Sequence, residues 1–146
     1  MSGASEAVDL FRRGYACSQA ILMVYGTPLG LDRTHAAKIA SGFSGGMRMG
    51  ETCGAVTGAF MVLGLRHCKG GAEASTDRSQ VYAAVREFVS RFEERNGSVV
   101  CKDLLGCDIS TPDGMAAAKK QGLFETKCPK MVEDAAEILE EMLRDG

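Results

Sequence analysis

The stretch Glu51-Thr52-Cys53-Gly54-Ala55-Val56-Thr57-Gly58-Ala59-Phe60-Met61-Val62-Leu63-Gly64-Leu65-Arg66 decides the fold. From Ala55 to Leu65 its apolar residues occupy every face of a helix. A helix with almost no polar side must be surrounded by other helices. The expectation is therefore a central apolar helix at about 51–66. The run is far short of the roughly 20 residues that cross a bilayer, so no membrane insertion is expected.

The segments on either side also read as helices. Ser5 to Arg13 and Tyr15 to Tyr25 form two helical stretches joined at Gly14, with Ala16, Ala20, Ile21 and Val24 on the helical period. Gly26, Pro28 and Gly30 end that pair, and Asp32 caps a short helix to about Ala40 with Ala36 and Ile39 inward. Gly42-Phe43-Ser44-Gly45-Gly46-Met47-Arg48-Met49-Gly50 is too glycine-rich for a helix interior and reads as a loop with unusual backbone demands. Thr76 to Arg95 carries Val81, Val85, Phe88, Val89 and Phe92 on one stripe and stops at Asn96-Gly97. A short helix, Cys101 to Leu105, ends at Gly106; Thr111-Pro112 opens another that closes at Gly122. Cys128-Pro129 begins the last helix, with Val132, Ala135, Ala136, Leu139, Met142 and Leu143 inward. Its Glu133, Asp134, Glu137, Glu140 and Glu141 form a solvated face. Ser98-Val99-Val100 is the nearest approach to a strand and is too short. The fold class is all-α, one multi-helix bundle spanning 1–146 as a single domain.

A chain of 146 residues can bury roughly 68–70% of its unfolded surface, enough to stabilise itself without disulfides or a structural metal. The 17 basic and 19 acidic side chains leave a net charge of −2, which argues against a nucleic-acid partner. With six Phe, three Tyr and no Trp, base-stacking platforms are also excluded. The opening Met1-Ser2-Gly3-Ala4-Ser5-Glu6 lacks the basic and apolar regions of an export signal, so a cytoplasmic location is expected. A homo-oligomer is compatible with the sequence.

Six cysteines are too few for a disulfide scaffold, and in a reducing compartment such thiols bind metal, do redox chemistry or pack. Cys17, Cys53, Cys101 and Cys128 each fall at or within the first turn of an expected helix. Unpaired amides and the positive dipole end favour a thiolate there. The effect is about 0.3–1 kcal/mol per site, less than the roughly 1.36 kcal/mol of one pKa unit, so dipoles alone do not ionise a thiol at neutral pH. Basic neighbours add to it: Arg13 near Cys17, Arg48 near Cys53, Lys102 beside Cys101, Lys127 and Lys130 around Cys128. The bland reading is that these are small buried hydrophobes. Cys68, near the end of the central helix, reads as a packing residue. Cys107, six residues after Cys101, is a candidate resolving thiol or extra ligand.

Rival motifs fall away. Gly45, Gly50, Glu51 and Thr52 sit in the frame of a phosphate-binding loop, but Glu51 stands where the lysine should be and no strand precedes it. The segment reads instead as a tight turn delivering Cys53, with Gly54 and Gly58 allowing close approach of a helix or ligand. Met47 and Met49 with Cys53 would make a soft set for Cu(I), although methionines in helical proteins mostly fill cores. His35 and His67 read as surface or capping residues, and no motif requests a flavin.

Gly14-Tyr15-Ala16-Cys17-Ser18-Gln19-Ala20, Gly50-Glu51-Thr52-Cys53-Gly54-Ala55-Val56-Thr57-Gly58-Ala59, Cys101-Lys102-Asp103-Leu104-Leu105-Gly106 and Cys128-Pro129, in that order, resemble the C_GCAxxG_C_C family of redox-active proteins. The family label writes its central letters Gly-Cys-Ala where this chain has Cys53-Gly54-Ala55. The resemblance implies that Cys17, Cys53, Cys101 and Cys128 are the family's cysteines, and it brings no substrate. The resulting expectation is thiol–disulfide chemistry at one site formed by these four, with Cys53 the nucleophile and a redox protein or small thiol or disulfide as partner. The alternative is a zinc or iron–sulfur module with the same four as ligands, despite the missing Cys-x-x-Cys pair. A helical interaction protein with incidental cysteines is the third reading.

Overall fold

The structure is a computed structural model that describes residues 2–71 and 74–145. Among them are nine α-helices and no strand, with 78% of residues helical. In order these are α1 (Gly3–Arg12), α2 (Cys17–Gly26), α3 (Arg33–Ala40), α4 (Gly54–His67), α5 (Ala74–Asn96), α6 (Cys101–Leu105), α7 (Pro112–Lys120), α8 (Leu123–Thr126) and α9 (Cys128–Asp145). Caps explain several starts. Ser2, Asp32 and Thr111 each accept a hydrogen bond from the third residue beyond, opening α1, α3 and α7.

The helix at Gly54–His67 forms as expected, and its Gly54–Ala59, Val62 and Leu63 are buried against α2, α5 and α9. Leu65 emerges and is exposed. The most enclosed element is α2: Ser18 and every residue from Ala20 to Gly26 are buried, and α1, α3, α4 and α9 pack on it. The reason lies in two small residues. A Cβ at Gly58 would lie 2.9 Å from the Ser18 carbonyl oxygen, so bare glycine lets α4 rest directly on the α2 backbone.

Three expectations about helix faces change. On α3, Ile39 is exposed rather than inward. Among the described side chains of α5 only Phe88 and Phe92 are buried, stacked at 6.0 Å with Phe60 edge-on to Phe88; Val81, Val85 and Val89 are half-buried because α4 and α9 cover one side only. The acidic stripe of α9 is not simply solvated. Asp134 is buried and accepts from Lys130 (2.6 Å) and Arg95 (3.4 Å), while Arg95 and Arg91 of α5 bridge to Glu137 and Glu141. Glu140 accepts from the Tyr25 hydroxyl at 2.5 Å and from the Ala4 amide. On α9 the acidic groups meet Arg91 and Arg95 of α5 and Tyr25 of α2 as well as water.

The apolar residues divide into a main core and a smaller cluster of Cys101, Leu105, Ile109, Ala118 and Leu123. The seam between the two is crossed by an isolated antiparallel bridge between Thr52 and Val100. It is closed by Cys53 N–H donating to the Val99 carbonyl (2.8 Å) and Cys101 N–H to the Glu51 carbonyl (2.6 Å). Among the described residues no helix is long and apolar enough to cross a membrane.

Candidate functional site

Cys17, Cys101 and Cys128 are the first residues of α2, α6 and α9, and Cys53 is the residue that caps α4. Each enters from a different helix, yet all four line one cavity of about 190 Å³ at the seam. Its walls are apolar, formed by Phe11, Leu104, Ile109, Met115, Phe124 and Met131. The Thr52–Val100 bridge accounts for half of this arrangement, because it sets the residues that follow each partner, Cys53 and Cys101, side by side.

The other half is built by α2 and the glycine-rich segment. Gln19 holds the α2 terminus: its Oε1 accepts from the Ala16 amide (2.9 Å) and its Nε2 donates to the Ala37 carbonyl (2.9 Å). Ser18, fully buried, donates to the Ala40 carbonyl at 2.8 Å. The Cys17 sulfur keeps this place because position 54 is glycine: a Cβ there would stand 2.5 Å from it. The segment before Cys53 is a tight left-handed turn in which Gly45 (φ +63°), Gly46 (+62°), Met47 (+59°) and Arg48 (+62°) are consecutive. For the two non-glycine residues this conformation costs roughly 1–2 kcal/mol each. It presents the Gly45 amide to Cys17 and folds the Arg48 guanidinium over Gly45 at the cavity wall.

These surroundings separate the four thiols. The Cys53 S–H donates to the Cys17 sulfur, and with the Ser18, Cys17 and Gly45 amides this holds the Cys17 thiol below its ordinary value despite burial. The same hydrogen bond, with burial and the charge on Cys17, holds Cys53 well above its ordinary value. Burial, then the charge on Cys17, then Asp108, pushes Cys101 up to about 11, against the opposing pull of Arg48. Burial, then Cys17 and Cys101, pushes Cys128 up to about 12. The two thiols are thus pushed in opposite directions, Cys17 down and Cys53 up, because Cys17 collects the amides. The thiol held low is Cys17 and not Cys53, the residue expected to be the nucleophile.

The basic neighbours read along the chain mostly serve elsewhere. Arg13 pairs with Asp9, Lys102 with Glu51 and Lys130 with Asp134, while Arg48 acts on Cys101 rather than Cys53. Sequence adjacency does not decide where a long side chain points. Cys68 ends α4 outside the cavity, and Cys107 packs on the smaller cluster without lining it. Met47 and Met49 do not line it either, Met49 being exposed, so no soft set forms with Cys53. His35 caps its own helix start, with Nδ1 2.5 Å from Asp32. The residues that sequence reasoning missed are Gly45, whose amide reaches Cys17, and the walls Phe124 and Met131; the run of glycines was the one signal for the first.

Four thiols are a set that zinc accepts, but here they line a cavity without being gathered around one point. No group of three or more His, Cys, Asp or Glu side chains among the described residues is gathered to hold a metal ion. What the site can do chemically is present one half-buried thiol held below its ordinary value, hydrogen-bonded to a neighbouring thiol, to a small apolar volume.

No match to the chain was found among curated proteins or solved structures. The profile of the family described as "Putative redox-active protein (C_GCAxxG_C_C)" matches residues 15–142, a span that contains Cys17, Cys53, Cys101 and Cys128. This chain belongs to the C_GCAxxG_C_C family.

Proposed function

We propose that this protein exchanges thiols and disulfides, with Cys17 as the nucleophile and Cys53 as the resolving thiol. The observation that carries the reading is the hydrogen bond between these two sulfurs at the amide-rich tip of α2, which lowers Cys17 and raises Cys53. The Cys17 thiolate attacks one sulfur of a substrate disulfide, forming a mixed disulfide and expelling the other half as a thiolate, which takes up a proton. Once Cys17 is bonded, Cys53 no longer donates to an anion. It loses its proton to the leaving group and attacks the Cys17 sulfur, closing a Cys17–Cys53 bridge and releasing the second thiol. Two electrons pass from the dithiol to the substrate, and an external dithiol restores the starting state by the reverse exchange. Cys101 and Cys128 face the same cavity as protonated thiols and form a second dithiol available for exchange with that bridge. A reducing, cytoplasmic setting suits this cycle.

The test is oxygen-free reduced protein treated with 4,4′-dithiodipyridine, followed by peptide mapping. Cys17 is expected to react first and a Cys17–Cys53 bridge to follow, with release of two thiopyridones. Cys53→Ala should stop at a stable mixed disulfide on Cys17. Reaction at Cys17 no faster than at Cys68, or no bridge within the cavity, overturns the reading.

A further inference from the structure

Among the described residues that line the cavity, Arg48 is the one charged side chain. It has no hydrogen-bond or ion-pair partner among them. The nearby acids are engaged: Glu51 pairs with Lys102, and Asp108 accepts from the Ser110 amide and hydroxyl. The guanidinium is held at this wall by a backbone in which Met47 and Arg48 themselves adopt the left-handed conformation. Arg48 is exposed, and the same turn carries the Gly45 amide to Cys17, so one short segment fixes a solvent-accessible cation and the site thiol against the same volume. An unpaired guanidinium beside an apolar volume matches a carboxylate on an apolar body.

We infer that the cavity selects a small disulfide with an apolar body and a carboxylate, the body seated between Phe124 and Ile109 and the carboxylate paired with Arg48. The inference rests on the exchange reading above and names its substrate class. No bond to Arg48 is made or broken. The guanidinium holds the carboxylate while sulfur chemistry proceeds at Cys17 as already balanced.

The experiment compares two aromatic disulfides, anionic 5,5′-dithiobis(2-nitrobenzoate) and neutral 4,4′-dithiodipyridine, by their rates at Cys17. Arg48→Met should lower the anionic-to-neutral rate ratio about fivefold or more, and Arg48→Lys should recover part of it. Lys102→Met, which removes a cation outside the cavity, should keep the wild-type ratio. A second arm does not need thiol reactivity: titration of reduced protein with benzoate and with benzamide, read by amide shifts of residues 45–50. Benzoate should bind at least about fivefold more tightly than benzamide, a preference lost in Arg48→Met. Equal binding, no benzoate binding, or a ratio untouched by Arg48→Met overturns the inference. Failure of both disulfides at Cys17 with the benzoate preference intact overturns the exchange reading instead.

Discussion

Gly54 leaves open the space that the Cys17 sulfur occupies: a Cβ at position 54 would stand 2.5 Å from it. Both residues lie at helix starts on different elements, so the contact joins α2 to α4 at the site itself. The sulfur can escape by rotating, but only away from the amides of Ser18 and Gly45.

Gly54→Ala should therefore reduce reactivity more than stability. Alanine favours a helix by up to about 1 kcal/mol over glycine, while overpacking costs about 1–3 kcal/mol, so the two partly cancel. The alkylation rate of Cys17 by iodoacetamide at pH 7 should fall about tenfold, because losing hydrogen bonds to a charged group costs about 1.5–3 kcal/mol. A rate equal to wild type would show that the sulfur does not depend on this space.

Cys53→Ala removes the S–H that donates to Cys17. The Cys17 thiol should return toward its ordinary value, and the pH midpoint of its alkylation should move upward. A midpoint that stays put, or moves down, would mean that the amides alone hold the thiolate.

Stability should decline in alkali. Cys101 at about 11 and Cys128 at about 12 bind protons more tightly folded than unfolded, where the thiol value is 9.0. Their contribution is fully present below pH 9.0 and is lost as pH rises through 11 and 12. Cys17 acts with the opposite sign, its contribution being lost as pH falls through its lowered value. Urea midpoints measured above pH 9.0 should therefore fall less steeply in Cys101→Ala and Cys128→Ala than in wild type.

Two glycines of α4 should respond with opposite signs. Gly58→Ala drives a Cβ to 2.9 Å from the Ser18 carbonyl and 3.2 Å from Ile21, which should cost about 1–3 kcal/mol. Gly64→Ala meets nothing within 4 Å and should stabilise by up to about 1 kcal/mol through helix propensity. Chemical denaturation of both variants checks the pair; equal effects would mean that α2 and α4 are not held at backbone contact.

Helix starts and stops, and hence the placement of Cys17, Cys101 and Cys128 at the first residues of α2, α6 and α9, follow from the local sequence. Caps at Asp32 and Thr111, and glycines such as Gly106 in the left-handed conformation, act within a few residues of themselves. The all-α class follows likewise from the one-sided or all-round apolar periodicity of its segments. Only the tertiary structure decided that the four thiols line one cavity, that the Cys17 thiol lies lower than the Cys53 thiol, and that Arg48 has no local partner. Those outcomes depend on long-range relations, the Thr52–Val100 bridge and the seating of α4 on α2 through Gly54 and Gly58. Hydrogen bonding and desolvation act over a few ångströms in space, and residues far apart in the chain come within that range only when helices pack.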